Sequence, residues 1–152
     1  MKLAEALVER KAAQVKVAEL GERLQRVAIV QEGQSPAEEP TALLDELSAV
    51  TGRLERLIVA INRTNTQATL AGGETVMAAI ARRDVLKMRL GILDNLLRAC
   101  GGQQFRMRGS EIRFLCTMPV GELQRQRDLL GKQHRELDAA LQAANWTTEL
   151  LE

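Results

Sequence analysis

Apolar residues return every three or four positions along four stretches of the chain, separated by short polar or glycine-rich breaks. The clearest row is Val120, Leu123, Arg127, Leu130, His134, Leu137, Leu141 and Ala144, strictly alternating steps of three and four. That spacing puts all eight on one seam of an α-helix, which has to be buried against another helix. A second row, Leu43, Leu47, Val50, Leu54, Leu57 and Ile61, has Leu44 and Ile58 beside it and starts at Pro40, a residue suited to a first helical position. A third joins Leu3, Leu7, Val17, Leu20 and Leu24, widened by Val8, Ala12 and Val15, and predicts a helix over about 2–28. The fourth, Ile80, Leu86, Leu90, Leu93 and Leu97, predicts a helix from about 77 to 99, ended by Gly101 and Gly102.

Between these rows the pattern breaks for identifiable reasons. Gly33, Pro36 and Pro40 interrupt residues 31–40, where Ser35 and Glu38 have the spacing of a capping box around a single turn. Periodicity collapses in Asn62-Arg63-Thr64-Asn65-Thr66-Gln67, residue types that compete for backbone hydrogen bonds and favour helix ends. Gly72-Gly73 reads as a tight turn between short extended arms. Ile112, Phe114 and Cys116 alternate with polar neighbours, as in a strand, and residues 104–108 offer it a partner. The expected fold is mainly α: one domain over 1–152, an antiparallel bundle of about four long helices with coiled-coil-like seams. A small β element at one end draws on residues around 27–31, 66–76 and 104–117.

Composition supports helix-on-helix packing. There is no Tyr, two Phe and one Trp, so the core must be built from aliphatic side chains, whereas sandwiches and barrels lean on aromatic and β-branched ones. A net charge of +1 provides no strong field for nucleic acid or acidic lipid. The charged segment from Lys2 to Leu20 lacks a signal-like apolar core, and no apolar run approaches the ~20 residues of a membrane span. Those features predict a cytoplasmic protein. Cys100 and Cys116, with no CxxC pair, read as buried thiols rather than as zinc ligands or a disulfide.

Little else suggests chemistry. The single histidine, His134, lies on a buried seam; its expected role is a hydrogen-bonded packing position or a subunit contact. With glycine at 131 it lacks the Glu-x-x-His pattern of bundle metal sites, and no phosphate-loop glycine spacing occurs. No metal, no cofactor and no enzymatic activity are expected. Basic residues on the third helix and over 101–135 are interspersed with acids and lack stacking aromatics, so a nucleic-acid partner is disfavoured. One polar constellation stands out: Asn62, Arg63 and Asn65 at the end of helix two, with Arg82, Arg83 and Asp84 early in helix three. Joined by a short glycine turn, they read as a polar clasp or as a pocket for a small anionic ligand, because arginine forks match carboxylate and phosphate. Arg127 and His134, polar positions within a seam, are read as marks of specific self-association.

The segments Ile61-Asn62-Arg63-Thr64-Asn65, Ala81-Arg82-Arg83-Asp84, Ser110-Glu111-Ile112 and Ala144-Asn145-Trp146-Thr147-Thr148-Glu149-Leu150 resemble the septicolysin-like family of small bacterial proteins, and the resemblance runs end to end. It carries over no catalytic or binding residue. Its label implies a thiol-activated, membrane-active toxin. Three functions are therefore expected in order: a non-enzymatic, self-associating helical scaffold; a binder of a small anionic ligand or nucleotide; and the toxin.

Overall fold

The computed structural model describes residues 1–101 and 115–151. The described residues form four helices, α1 (Leu3–Val27), α2 (Pro40–Gln67), α3 (Val76–Gly101) and α4 (Val120–Thr147). The chain divides into two compact units, one comprising residues 1–69 and 143–152, the other residues 70–142, so the last residues of α4 belong to the first.

In the first unit α1 and α2 pair along their seams. Leu3 and Ala6 meet Leu57 and Ile61, with Leu7 and Leu150 packed alongside. At the other end Leu20 and Val27 meet Leu43, flanked by Leu24, Leu47 and Val50. That order of contacts makes the pair antiparallel. Each fully buried Leu or Ile here contributes about 1.5–3 kcal/mol relative to exposure. Arg10 occupies the α1 seam between Ala6 and Ala13, and its Nε is the one buried side-chain polar atom without a partner among the described residues. Outside the core, Arg23 grips Glu38 through Nε at 3.1 Å to both carboxylate oxygens and through Nη2. This contact, foremost the hydrogen bonds from Arg23, holds the Glu38 carboxyl below its ordinary range. Glu38 thus ties the 28–39 connection to α1 instead of capping a turn of its own.

The helix ends are chemically explicit. The Glu39 carboxylate accepts from Thr41 N ahead of Pro40, and Thr75 Oγ1 accepts from Ala78 N at the start of α3. α2 continues through the Asn62–Gln67 cluster that was expected to end it. Thr64 and Thr66 turn their hydroxyls back onto the carbonyls of Ala60 (2.8 Å) and Arg63 (2.7 Å), which keeps both polar groups satisfied inside the helix.

The second unit pairs α3 with α4. Arg127 Nε donates to Asp94 Oδ1 at 2.9 Å, and Arg83 Nη1 lies 3.7 Å from Asp138 Oδ1, again an antiparallel register. Leu123, Leu130, Leu137 and Leu141 are buried as their spacing required, together with Val76, Ala79 and Leu86 of α3. Gly131 is buried beside Leu90 of α3, where a Cβ would lie 4.0 Å from the Leu90 side chain, an ordinary contact distance.

The expected β element is not seen among the described residues. Residues 28–31 are irregular and Ile29 is almost fully exposed, so this β-branched run simply ends α1. Gly72-Gly73 forms a turn as predicted, closed by Leu70 N to Glu74 O (2.8 Å) and Gly73 N to Leu70 O (2.9 Å), with Gly73 at φ 81°. Its arms carry only single bridge positions, Thr69 and Thr75, before the helices on either side, and form no strand. Residues 104–108 and 111–114, the remaining strand positions, lie outside the described residues. Among the described residues, a ladder contact between distant segments bridges Lys2 with Glu149, closed by Leu3 N to Thr148 O and Leu150 N to Met1 O, both 2.9 Å.

Candidate functional site

The six polar residues singled out in the sequence divide between the two units. Asn62, Arg63 and Asn65 belong to the first, on α2; Arg82, Arg83 and Asp84 belong to the second, on α3. Within the second unit the arginines are already engaged by carboxylates. Arg82 pairs with Glu74, which directly follows the glycine turn. Arg83 donates to Asp84 Oδ1 through Nε (3.0 Å) and Nη2 (2.9 Å), and lies near Asp138. Arginine forks occupied in this way brace the start of α3 against α4. On α2, Asn62 and Arg63 are exposed and Asn65 is half-buried.

Between them sits the residue that sequence reasoning passed over. Thr64 has no exposed surface and is the only buried polar residue among those described. Its hydroxyl donates to Ala60 O and accepts from Leu151 N at 2.9 Å. Thr64 therefore fastens the chain end to α2. The Lys2 ammonium completes the fastening, reaching Thr147 O (3.2 Å) and Glu149 Oε1 (2.6 Å). Hydrogen bonding from Lys2 is the largest cause holding the Glu149 carboxyl below its ordinary range. Position 64 fits the step of three after Ile61 in the α2 seam, and that was the available signal.

Beside this clasp a groove in the first unit is lined by Met1, Arg53, Arg56, Leu57, Arg63 and Leu150, among others. Arg53 is paired with Glu9 at 2.7 Å. The second unit has its own groove, where Glu74 and Arg82 face Gln133 and Glu136 over an apolar floor that includes Leu86 and Leu137.

The seam polar groups also find their places. Arg127, expected to mark a subunit contact, is paired inside its own unit with Asp94, a partner one helix away that the α4 pattern could not reveal. His134 is half-buried between Leu130 and Leu137. No group of three or more His, Cys, Asp or Glu able to hold a metal occurs among the described residues. Cys100 and Cys116 are joined in a disulfide, with their Cα atoms 5.1 Å apart, where the sequence suggested separate buried thiols. Cys116 is exposed and Cys100 half-buried, so neither acts as a core residue. The bond staples the end of α3 to the segment leading into α4.

Finally, α3 is apolar on two sides. Leu86 and Leu90 face α4, while Val85, Met88 and Ile92 remain 50%, 63% and 60% exposed. No helix among the described residues is long and apolar enough to cross a membrane.

A crystal structure of a functionally unknown conserved protein from Corynebacterium diphtheriae is similar over 99% of both chains, with 40% sequence identity and a TM-score of 0.93. No curated protein matches the chain. The septicolysin-like resemblance is overturned by these findings, since neither the matching family nor the similar structure has any such link. The toxin reading, which rested on that resemblance alone, goes with it. A family model matches residues 10–150, and on that span the chain belongs to DUF6847, a family of unknown function.

Proposed function

We propose that the protein is a non-enzymatic helical interaction module that self-associates. The observation that carries this reading is the second apolar row of α3. Leu86 and Leu90 of α3 are turned toward α4, yet half-exposed Val85, Met88 and Ile92 remain in line on the opposite side of the same helix. Scattered exposed apolar residues are ordinary on a protein surface, whereas an aligned row marks an interaction face. Sedimentation velocity over a wide concentration range tests the proposal. A mass rising with concentration supports it, and a monomer at every concentration overturns it.

A small anionic ligand is the second reading, moved from the predicted six-residue cluster to the groove containing Arg56 and Arg63 in the first unit. A thermal shift with phosphorylated or carboxylated metabolites, abolished in Arg56→Ala, supports this binding. As for location, the Cys100–Cys116 bond fits an oxidising compartment better than the cytoplasm expected from the sequence, because cytoplasmic thiol systems keep such pairs reduced.

A further inference from the structure

On α3 the exposed row continues beyond its three large members. Ala78, Ala81, Val85, Met88, Ile92, Asn95 and Ala99 follow alternating steps of three and four, a complete heptad register over three turns of the repeat. It lies opposite the α4-facing row, since Met88 is two residues from both Leu86 and Leu90, about 200° around the helix. β-branched Val85 and Ile92 fall at the a positions and Met88 at d, a choice that suits two strands.

The flanks of the row decide the occupant and its direction. Asp84 and Arg98 fall at g, on one side of the row, and Arg98 is turned back onto the Asp94 carbonyl and Asn95 of its own helix; Arg82 and Arg89 fall at e, on the other. In a parallel pair, g of one helix meets the e five residues further on in its partner, and Asp84 and Arg89 are five residues apart. Asp84 takes Arg83 of its own helix on Oδ1, and two copies side by side and parallel set its second carboxylate oxygen against the partner copy's Arg89, giving two symmetric Asp84–Arg89 ion pairs. An antiparallel pair sets the arginine flank against itself. Arg82 is committed to Glu74, whereas Arg89 makes no ion pair among the described residues.

We infer that the outward row of α3 docks in parallel onto the same row of a second copy of this chain. The apolar face, the heptad register and the charge complementarity all fit this one partner. The inference rests on the proposed self-association and names the surface responsible for it.

Because Cys100 and Cys116 are bonded to each other, a bismaleimide reagent without reductant reacts only with an introduced thiol. Ala81→Cys and Asn95→Cys, both exposed d positions placed symmetrically about Met88, read the direction. Parallel docking predicts a covalent dimer of Ala81→Cys alone. A crosslink appearing only when the Ala81→Cys and Asn95→Cys proteins are mixed overturns the parallel direction. No crosslink in either case overturns the docking face. Met88→Glu, at a side chain that supports no core, is expected to raise the dimer dissociation constant at least tenfold with an unchanged helical circular dichroism spectrum. Arg89→Glu weakens association, and adding Asp84→Lys restores it; failure to restore it overturns the pairing. If the unmodified protein is monomeric throughout, self-association itself fails. If it oligomerises while Met88→Glu has no effect, only this face is wrong.

Discussion

Replacing Thr64 with valine isolates the clasp between α2 and the chain end. The substitution keeps the shape of the side chain and exchanges the hydroxyl for a methyl group. Ala60 O lies four residues before position 64, so it keeps its helical partner, and the lost donor costs little there. Leu151 N loses its acceptor, which stood 2.9 Å away. Either that N–H stays beside an apolar surface without a partner, at about 1–3 kcal/mol, or the end detaches to reach water and gives up the Leu150 packing against Leu3 and Ile61. The cheaper of the two routes sets the loss, in the lower part of that range at about 1–2 kcal/mol. For a unit of this size that lowers Tm by about 4–16 °C, at about 4–8 °C per kcal/mol. The same energy accelerates exchange of the Leu151 amide by about 5–30-fold, readable by hydrogen exchange with NMR detection. Thr64→Ser is the control: it keeps the hydroxyl and loses one methyl, about 0.8 kcal/mol, so Leu151 stays protected. A Thr64→Val protein with native Tm and unchanged Leu151 exchange refutes the assignment of Thr64 as the fastening point.

Two further outcomes follow from the same physical reasoning. Reduction, or the paired change Cys100→Ser with Cys116→Ser, removes a cross-link spanning 16 positions and lowers stability to urea by up to about 3 kcal/mol on loop-closure grounds; two reactive thiols in the native, unreduced protein contradict the bond. Glu38, Glu122 and Glu149 have folded-state pKa values below the ordinary 4.5, so their stabilisation is complete above that pH and is lost as pH falls through the lower folded values. Acid melts should show Tm declining from about pH 5 downward, less steeply in Glu149→Gln; an unchanged slope argues against the Lys2–Glu149 contact.

The periodic rows and the fold class were legible because helical burial repeats on a scale of a few residues. Leu123, Leu130, Leu137 and Leu141 could be assigned to a core from spacing alone, and their burial follows. The same local reasoning failed where a residue's state depended on a distant partner. Thr64 belongs to a cluster with the composition of a helix end, and only the approach of Leu151 makes it a buried, doubly bonded node. Arg127 looked like a mark of association because Asp94, its partner, is 33 positions away. For the Asn62–Asn65 and Arg82–Asp84 cluster, read as a clasp or an anion pocket, spacing could not name the partners: Glu74 engages Arg82, and Asp84 and Asp138 engage Arg83.

The chain's own pattern thus determined four amphipathic helices, their proline and glycine boundaries, and an aliphatic interior, since each rests on contacts within a few turns. Tertiary structure decided the rest. It chose a disulfide for two cysteines with no spacing signature, by bringing the end of α3 back beside the segment before α4. It also decided which of the two apolar sides of α3 is buried: Leu86 and Leu90 meet α4, and Met88 is left facing outward. Spacing can say that a side chain prefers burial, but only the packing of whole helices determines what covers it.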